Sequence, residues 1–374
     1  MEIDNFFKIL EDLGANFYTG VPDSLLAPFT DKVMEKYNVS SSHIVAANEG
    51  AAVGLAAGHY LATGRPAVVY MQNSGIGNAV NPICSLLHKE VYAIPVIFVI
   101  GWRGEPGTKD EPQHIFQGQV TLPMLECLQI PYVVVEEGSN LTGDVQNFKE
   151  HLKNGQSVAF VVRKDALANP NKMKYTSSAA LSREEAVEVI LSQSKKDDIF
   201  VCTTGKLSRE VFEIREKTNA GHAKDFLTVG SMGHSISIAH GIAIAKPDKR
   251  VWCLDGDGAA LMHMGSLAVT GVHCPKNLVH VVINNGAHET VGGLPTVSKQ
   301  IKLCETAKTF GYGQSFAVSN AEQLSQTLKD IESTENLTFI EVDCNLISRK
   351  DLGRPTTTTI QNKNDFMVYL SKED

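Results

Sequence analysis

Asp257 and Asn285 are the residues whose types and spacing point most directly to chemistry. Gly256-Asp257-Gly258 follows an apolar run at 251–254, and twenty-five residues (259–283) separate it from Asn284-Asn285, which close a second apolar run. Each run has the length and composition of a strand buried in a parallel sheet, and the stretch 259–272 between them is long enough for a helix. Ligands collect at the carboxyl ends of such strands, so this spacing brings a carboxylate and an amide oxygen into one crevice. A hard divalent cation such as Mg²⁺ takes oxygen ligands in an octahedron, using one or two protein carboxylates while phosphates and water fill the rest. One Asp, one Asn and one backbone carbonyl meet that demand. The flanking glycines let a diphosphate approach the backbone at the start of the following helix. Gly-Asp-Gly alone is also an ordinary strand-to-helix connection; the second motif gives it chemical content.

The elements that must carry these residues are legible as alternation. Apolar strands at 67–71, 96–100, 132–135 and 158–162 interleave with helical stretches such as 50–61 and 141–152, which argues for a parallel α/β sheet covered on both faces. Around 165–179 the pattern breaks into Asn169-Pro170-Asn171-Lys172 and Ser177-Ser178, the composition of a linker. Ser182-Arg183-Glu184-Glu185 then reads as a capping box opening a helix, and strands recur at 199–202, 251–254, 278–283 and 339–342. The division is a first domain at 1–168, a linker at 169–180 and a second domain at 181–374, with no short-period repeat. Thr356 to Thr359 reads as a loop.

The chain has 374 residues, 43% hydrophobic and 20% charged, which suits two full cores and neither a fibrous nor a disordered class. A formal net charge of −8 argues against nucleic acid as a partner, so an anionic substrate must be met by locally placed cations. The start, Met1-Glu2-Ile3-Asp4, lacks the order of a signal peptide, and no apolar run is long enough to span a bilayer. Seven dispersed cysteines without a CxxC pair read as reduced core residues, so a cytoplasmic protein without membrane partners is expected.

Gly-Asp-Gly followed at this distance by Asn-Asn resembles the thiamine diphosphate (ThDP) motif. That resemblance implies that Asp257, the side chain of Asn285 and the main chain of Ala287 hold Mg²⁺, with Gly256, Gly258 and Ala259 against the cofactor. In the first half, Asn48-Glu49-Gly50-Ala51-Ala52 stands where an apolar segment enters a helix rich in Ala and Gly. An acidic residue there also simply favours the helix dipole. The segment resembles the pyrimidine-binding half of ThDP decarboxylases, which implies that Glu49 bonds the aminopyrimidine ring and promotes loss of the thiazolium C2 proton. Gln72-Asn73-Ser74-Gly75 is placed as a ring-contacting loop, though a plain turn would use the same residues. Thr204 and Gly205, after the strand ending at Cys202, offer a hydroxyl and free N–H groups to a phosphate, or form an N-cap. Gly230-Ser231-Met232 resembles the family segment whose apolar side chain wedges between the cofactor rings; a gap-filling core Met is the alternative.

Across nearly its whole length the chain resembles the ThDP-dependent phosphonopyruvate and sulfopyruvate decarboxylases, through GVPDSLL at 20–26, DEPQH at 110–114, NNGAHETVGG at 284–293 and DLGRPTTT at 351–358. The pyrimidine and diphosphate domains are joined directly, leaving no room for a central third domain. Asp23 and Ser24 compete for the place of an acidic substrate-facing residue. Gln113-His114 stands where pyruvate decarboxylases carry a His pair, which leaves His114 as a candidate proton donor; His288 is a second, or a surface-loop residue. A 2-oxo acid bearing a phosphonate or sulfonate needs cations, and Arg binds such oxyanions through its planar fork. Arg354, Arg349, Arg103 and Lys109 are the candidates, each with a solvated-loop alternative. The resemblance implies decarboxylation of 3-phosphonopyruvate to phosphonoacetaldehyde and CO₂, in a homo-oligomer whose sites lie between subunits. Sulfopyruvate decarboxylation and ThDP-dependent carboligation are the competing activities. A Rossmann-like nucleotide module would require G-x-G-x-x-G after the first strand of a half, and neither half begins with one.

Overall fold

The computed structural model describes residues 1–371, so the last three residues of the expected second domain lie outside the described residues. Two compact units divide the chain: Met1–Lys174 with Val291–Leu294, and Tyr175–Thr290 with the segment that begins at Pro295. The division falls between Lys174 and Tyr175, within a stretch, 169–180, that forms neither helix nor strand.

The first unit holds strands β1 (Tyr18–Gly20), β2 (His43–Val45), β3 (Ala67–Gln72), β4 (Val96–Gly101), β5 (Tyr132–Val135) and β6 (Val158–Val162). They form one parallel sheet in the order β2-β1-β3-β4-β6-β5. Alternate residues feed two cores: Val68, Tyr70, Ile97, Val99 and Phe160 pack on one face, and Val69, Met71, Phe98, Ile100 and Val161 on the other. Burial on both faces explains why these strands are continuous apolar runs.

The second unit contains β7 (Ile199–Cys202), β8 (Asp225–Leu227), β9 (Val251–Gly256), β10 (Leu278–Asn284), β11 (Gln314–Val318) and β12 (Thr338–Asp343), in the order β11-β12-β10-β9-β7-β8. Every pairing is again parallel. Counted from its own first strand, this sheet repeats the order 2-1-3-4-6-5 of the first unit, although the two halves share no visible sequence repeat. In such an order the chain leaves the first strand to one side and the third to the other, so a crevice opens between their carboxyl ends. In the first unit that crevice lies after β1 and β3, and in the second after β7 and β9.

The sequence reading differs from the structure at identifiable places. The helix expected over 259–272 is two helices, Asp257–Met262 and Gly265–His273, broken where His263 leaves helical geometry at φ −131 and ψ 50. Cys84 and Cys127 are exposed rather than core residues, while Cys202, Cys253 and Cys344 are buried. The capping box at Ser182 and Glu185 forms as read and starts the helix Arg183–Gln193. Among the described residues, no helix is long and apolar enough to cross a membrane.

One close approach sets the rim of the first crevice. The loop after β4 rests on the helix Pro112–Cys127, where a Cβ on Gly118 would lie 1.6 Å from the carbonyl oxygen of Gly104. Trp102 Nε1 donates to the Gly118 carbonyl at 2.9 Å, closing the same contact. Gly118→Ala should therefore lower stability by about 1–3 kcal/mol, the range for overpacking. Gly143→Ala, where an added Cβ meets open space, should be neutral or slightly stabilising. Denaturant unfolding followed by circular dichroism separates the two, and a Gly118→Ala midpoint equal to wild type would contradict the contact.

Candidate active site

At the carboxyl ends of β1, β3 and β4 the first unit gathers most of the polar residues singled out from its sequence. Asp23, fully buried after β1, accepts from Gln72 Nε2 at 2.7 Å and from the Leu25 amide at 3.1 Å. Burial pushes its carboxyl up, against the opposing pull of Gln72 and Arg103. Gly101 makes room for it, because a Cβ there would lie 2.4 Å from Asp23 Oδ2. Ser74 Oγ donates to Gln72 Oε1 at 2.8 Å, and Asn73 Nδ2 donates to the Arg103 carbonyl and to Thr121 Oγ1, both at 2.8 Å. Arg103 is gripped by Asp110 through Nε at 2.8 Å and Nη2 at 2.6 Å, while Nη1 donates to Ser24 Oγ at 3.0 Å. Although burial alone would raise the Asp110 carboxyl, this ion pair and two amides hold it well below the usual range.

Glu49 begins the helix Glu49–Thr63, is 5% exposed, and accepts from Asn78 Nδ2 at 2.8 Å. Its carboxylate rests against the turn after β3, since a Cβ at Gly75 would lie 2.5 Å from Glu49 Oε1. His114 is in the first turn of the helix Pro112–Cys127, its Nδ1 buried without a hydrogen-bond partner. Burial and the Arg103 charge push its imidazole towards the neutral form. Gln113 is half-buried with its Oε1 also unpartnered, whereas Lys109 is exposed and joins none of these bonds.

In the second unit, β7, β8, β9 and β10 deliver the other set. Gly205 takes φ +96 ahead of the helix Lys206–Lys217, and Thr204 Oγ1 donates to the Val229 carbonyl at 2.7 Å. Ser231, between Gly230 and the half-buried Met232, adopts φ +55, a conformation few non-glycine residues take. Asp257, 3% exposed, starts the helix after β9, and burial pushes its carboxyl up while the hydroxyls of Thr296 and Ser298 oppose this. Half-buried Asn285 accepts the Ala287 amide at 3.1 Å, and Ala287 forms an antiparallel bridge with Pro295. His288 is buried and its pKa is lowered to about 4 by that burial, so the ring is neutral. A Cβ on Gly258 would meet the His288 ring at 3.1 Å and Met232 at 3.3 Å, so the absence of a side chain keeps this cradle open.

The donor set fits a hard cation and a diphosphate: a buried carboxylate after β9, an amide oxygen and a carbonyl after the neighbouring β10, with glycine backbone and a helix start beside them. Arg349 stands apart, bonded through Nε to Glu184, through Nη1 to Asp351 and through Nη2 to Glu213, and Arg354 is exposed. Several partners were not read from the sequence. Asp110 sits inside a quoted motif but showed no periodicity to mark it as the clamp on Arg103; Asn78, Thr296 and Ser298 meet their carboxylates only through folding.

Each unit also matches a known domain family. Residues 203–342 match the thiamine pyrophosphate enzyme C-terminal TPP-binding domain, and residues 3–124 the corresponding N-terminal TPP-binding domain. A phosphonopyruvate decarboxylase of Streptomyces viridochromogenes is 31% identical over 97% of this chain and 93% of its own length. Another from Streptomyces hygroscopicus is 32% identical over 97% and 92%. A sulfopyruvate decarboxylase of Methanosarcina acetivorans is 24% identical over 91% and 90%. With its two ThDP-type units directly joined and relatives aligned almost end to end, the chain belongs to the phosphonopyruvate decarboxylase family of ThDP-dependent carboxy-lyases.

Proposed function

We propose that this protein decarboxylates 3-phosphonopyruvate to phosphonoacetaldehyde and CO₂ with ThDP and Mg²⁺, as a homo-oligomer in which pyrimidine and diphosphate halves meet between subunits. The observation that carries the substrate choice is the bonded cluster Asp23, Ser24, Arg103 and Asp110, built after β1 and β4 at the same end of the sheet as Gln72, to which Asp23 is bonded. Bound ThDP supplies a nucleophilic carbon and an electron sink for the departing CO₂.

The chain's own residues have separable tasks. Glu49, oriented by Asn78, would hold a proton for the cofactor's aminopyrimidine nitrogen. Asp257, Asn285 and the Ala287 carbonyl would hold the cation, and Thr204, Gly205, Gly230, Ser231, Met232, Gly256, Gly258 and Ala259 would line the cofactor. Arg103 reads the distal oxyanion: its Nη1 faces a neutral hydroxyl, whereas all three Arg349 nitrogens already face carboxylates. Asp23, pushed towards its neutral form, adds little repulsion to an anion and can donate a hydrogen bond to it. His114 and His288 serve the proton delivered to carbon.

Steady-state kinetics on phosphonopyruvate, sulfopyruvate and pyruvate test this reading directly. The expected order places phosphonopyruvate first in kcat/KM with phosphonoacetaldehyde as product; higher kcat/KM on sulfopyruvate, or a ligated product with added aldehyde, would overturn it. Glu49→Gln should retain cofactor binding in calorimetry while losing most turnover, and full activity would remove the proton role. Losing a charged hydrogen-bonding partner costs about 1.5–3 kcal/mol, so Arg103→Ala should raise KM for phosphonopyruvate about tenfold or more. Pyruvate should respond far less, and an equal change on both substrates would contradict the assignment.

A further inference from the structure

The carboxylate and amide groups of the metal motif are held by side chains that the motif does not contain. Asp257 Oδ2 accepts from Thr296 Oγ1 at 2.5 Å and from Ser298 Oγ at 2.7 Å. Ser298 Oγ also lies 2.8 Å from Asn284 Oδ1 and 2.7 Å from Thr296 Oγ1. Asn284 is itself oriented, since its Nδ2 donates to Glu341 Oε1 at 2.8 Å and its Oδ1 accepts the Gly286 amide at 3.1 Å. Asp257, Asn284, Thr296 and Ser298 are all buried. The Thr296 amide donates to the Gly286 carbonyl at 2.9 Å, so the segment supplying the hydroxyls is tied to the end of β10.

Proton counting gives the two hydroxyls different tasks. Each carries one hydrogen. Thr296 places its hydrogen on Asp257, whereas Ser298 faces acceptors on both halves of the motif and has one hydrogen to share. A carboxylate with both oxygens unbonded can rotate about its last bond; one whose Oδ2 is saturated by hydroxyls presents Oδ1 alone. Outer partners of this kind orient a metal ligand as much as the metal does.

We infer that Thr296 and Ser298 are positioning residues for divalent-cation binding. They fill Asp257 Oδ2 so that Oδ1 is the oxygen offered to the cation, and Ser298 couples the β9 end to the β10 end through Asn284. The inference rests on the ThDP and Mg²⁺ reading of the site, and a metal-affinity measurement separates the two. Protein stripped of cofactor is titrated with Mn²⁺ in the presence of ThDP, and free Mn²⁺ is followed by electron paramagnetic resonance.

Loss of an outer-sphere partner typically weakens metal binding about 10–100-fold, and Ser298→Ala and Thr296→Val should fall in that range. Ser298→Thr and Thr296→Ser, which keep the hydroxyl, should restore affinity. Ser298→Cys reads the same contact with a weaker donor if the alanine variant does not fold. Wild-type Mn²⁺ affinity in both hydroxyl-less variants, alongside lost affinity in Asp257→Ala, overturns the positioning role alone. Unchanged affinity in Asp257→Ala would instead remove the metal reading beneath it.

Discussion

Buried carboxylates need partners, and the kind of partner separates the candidate site from the scaffold. Glu210 is bonded by both Nε and Nη2 of Arg183, Asp225 by two nitrogens of Arg215, and half-buried Glu289 by Arg183 and Lys206. Those charges are cancelled where they stand and act as clamps. Asp23, Glu49 and Asp257 are buried as deeply, yet their hydrogen bonds come from Gln72, Asn78, Thr296 and Ser298, all neutral. Neutral donors satisfy a carboxyl group without cancelling its charge, so each keeps the capacity to bind a cation or exchange a proton. Burial raises Asp23 and Asp257, as it also raises the Arg-bonded Glu210 and Asp225, because lost hydration outweighs the partners each has.

Sheet topology decides where these groups can stand. Both units use the order 2-1-3-4-6-5, so each opens a crevice between its first and third strands. In the first, Asp23 follows β1 and Gln72 ends β3, and their hydrogen bond spans the opening. In the second, Thr204 follows β7 and Asp257 follows β9. The same opening is lined differently, by acids in one and by glycines in the other, because the strand order sets the place and the loop residues set the contents.

What was legible in the sequence follows from which physical signal each element leaves. β3, β4, β6, β9 and β10 are buried on both faces and so are long apolar runs, broken only by His280 in β10, and readable without the fold. β1 and β8 are three residues long, and β11 is half exposed, so none of them carries a run. The break at His263 was invisible because hydrophobic continuity does not register a local turn. Asp257 and Asn285 were readable because strand and helix lengths set their separation; Thr296 and Ser298 were not, since hydroxyls on a returning loop have no period. Asp110 shows the same limit at short range: it lies seven residues from its arginine, in a loop that follows no regular geometry.

The two histidines carry the remaining constraint. Replacing a carbon–carboxylate bond by carbon–hydrogen requires one proton per turnover, and His288 follows β10 while His114 opens the helix that follows β4. Both are driven towards the neutral state, His288 by burial to about 4 and His114 by burial together with Arg103. A cationic imidazole beside a bound metal would suffer that metal's repulsion as well as desolvation, so neutrality is the state such a site favours. A neutral ring delivers a proton from one nitrogen only as the other gains one, which makes it a relay rather than a reservoir.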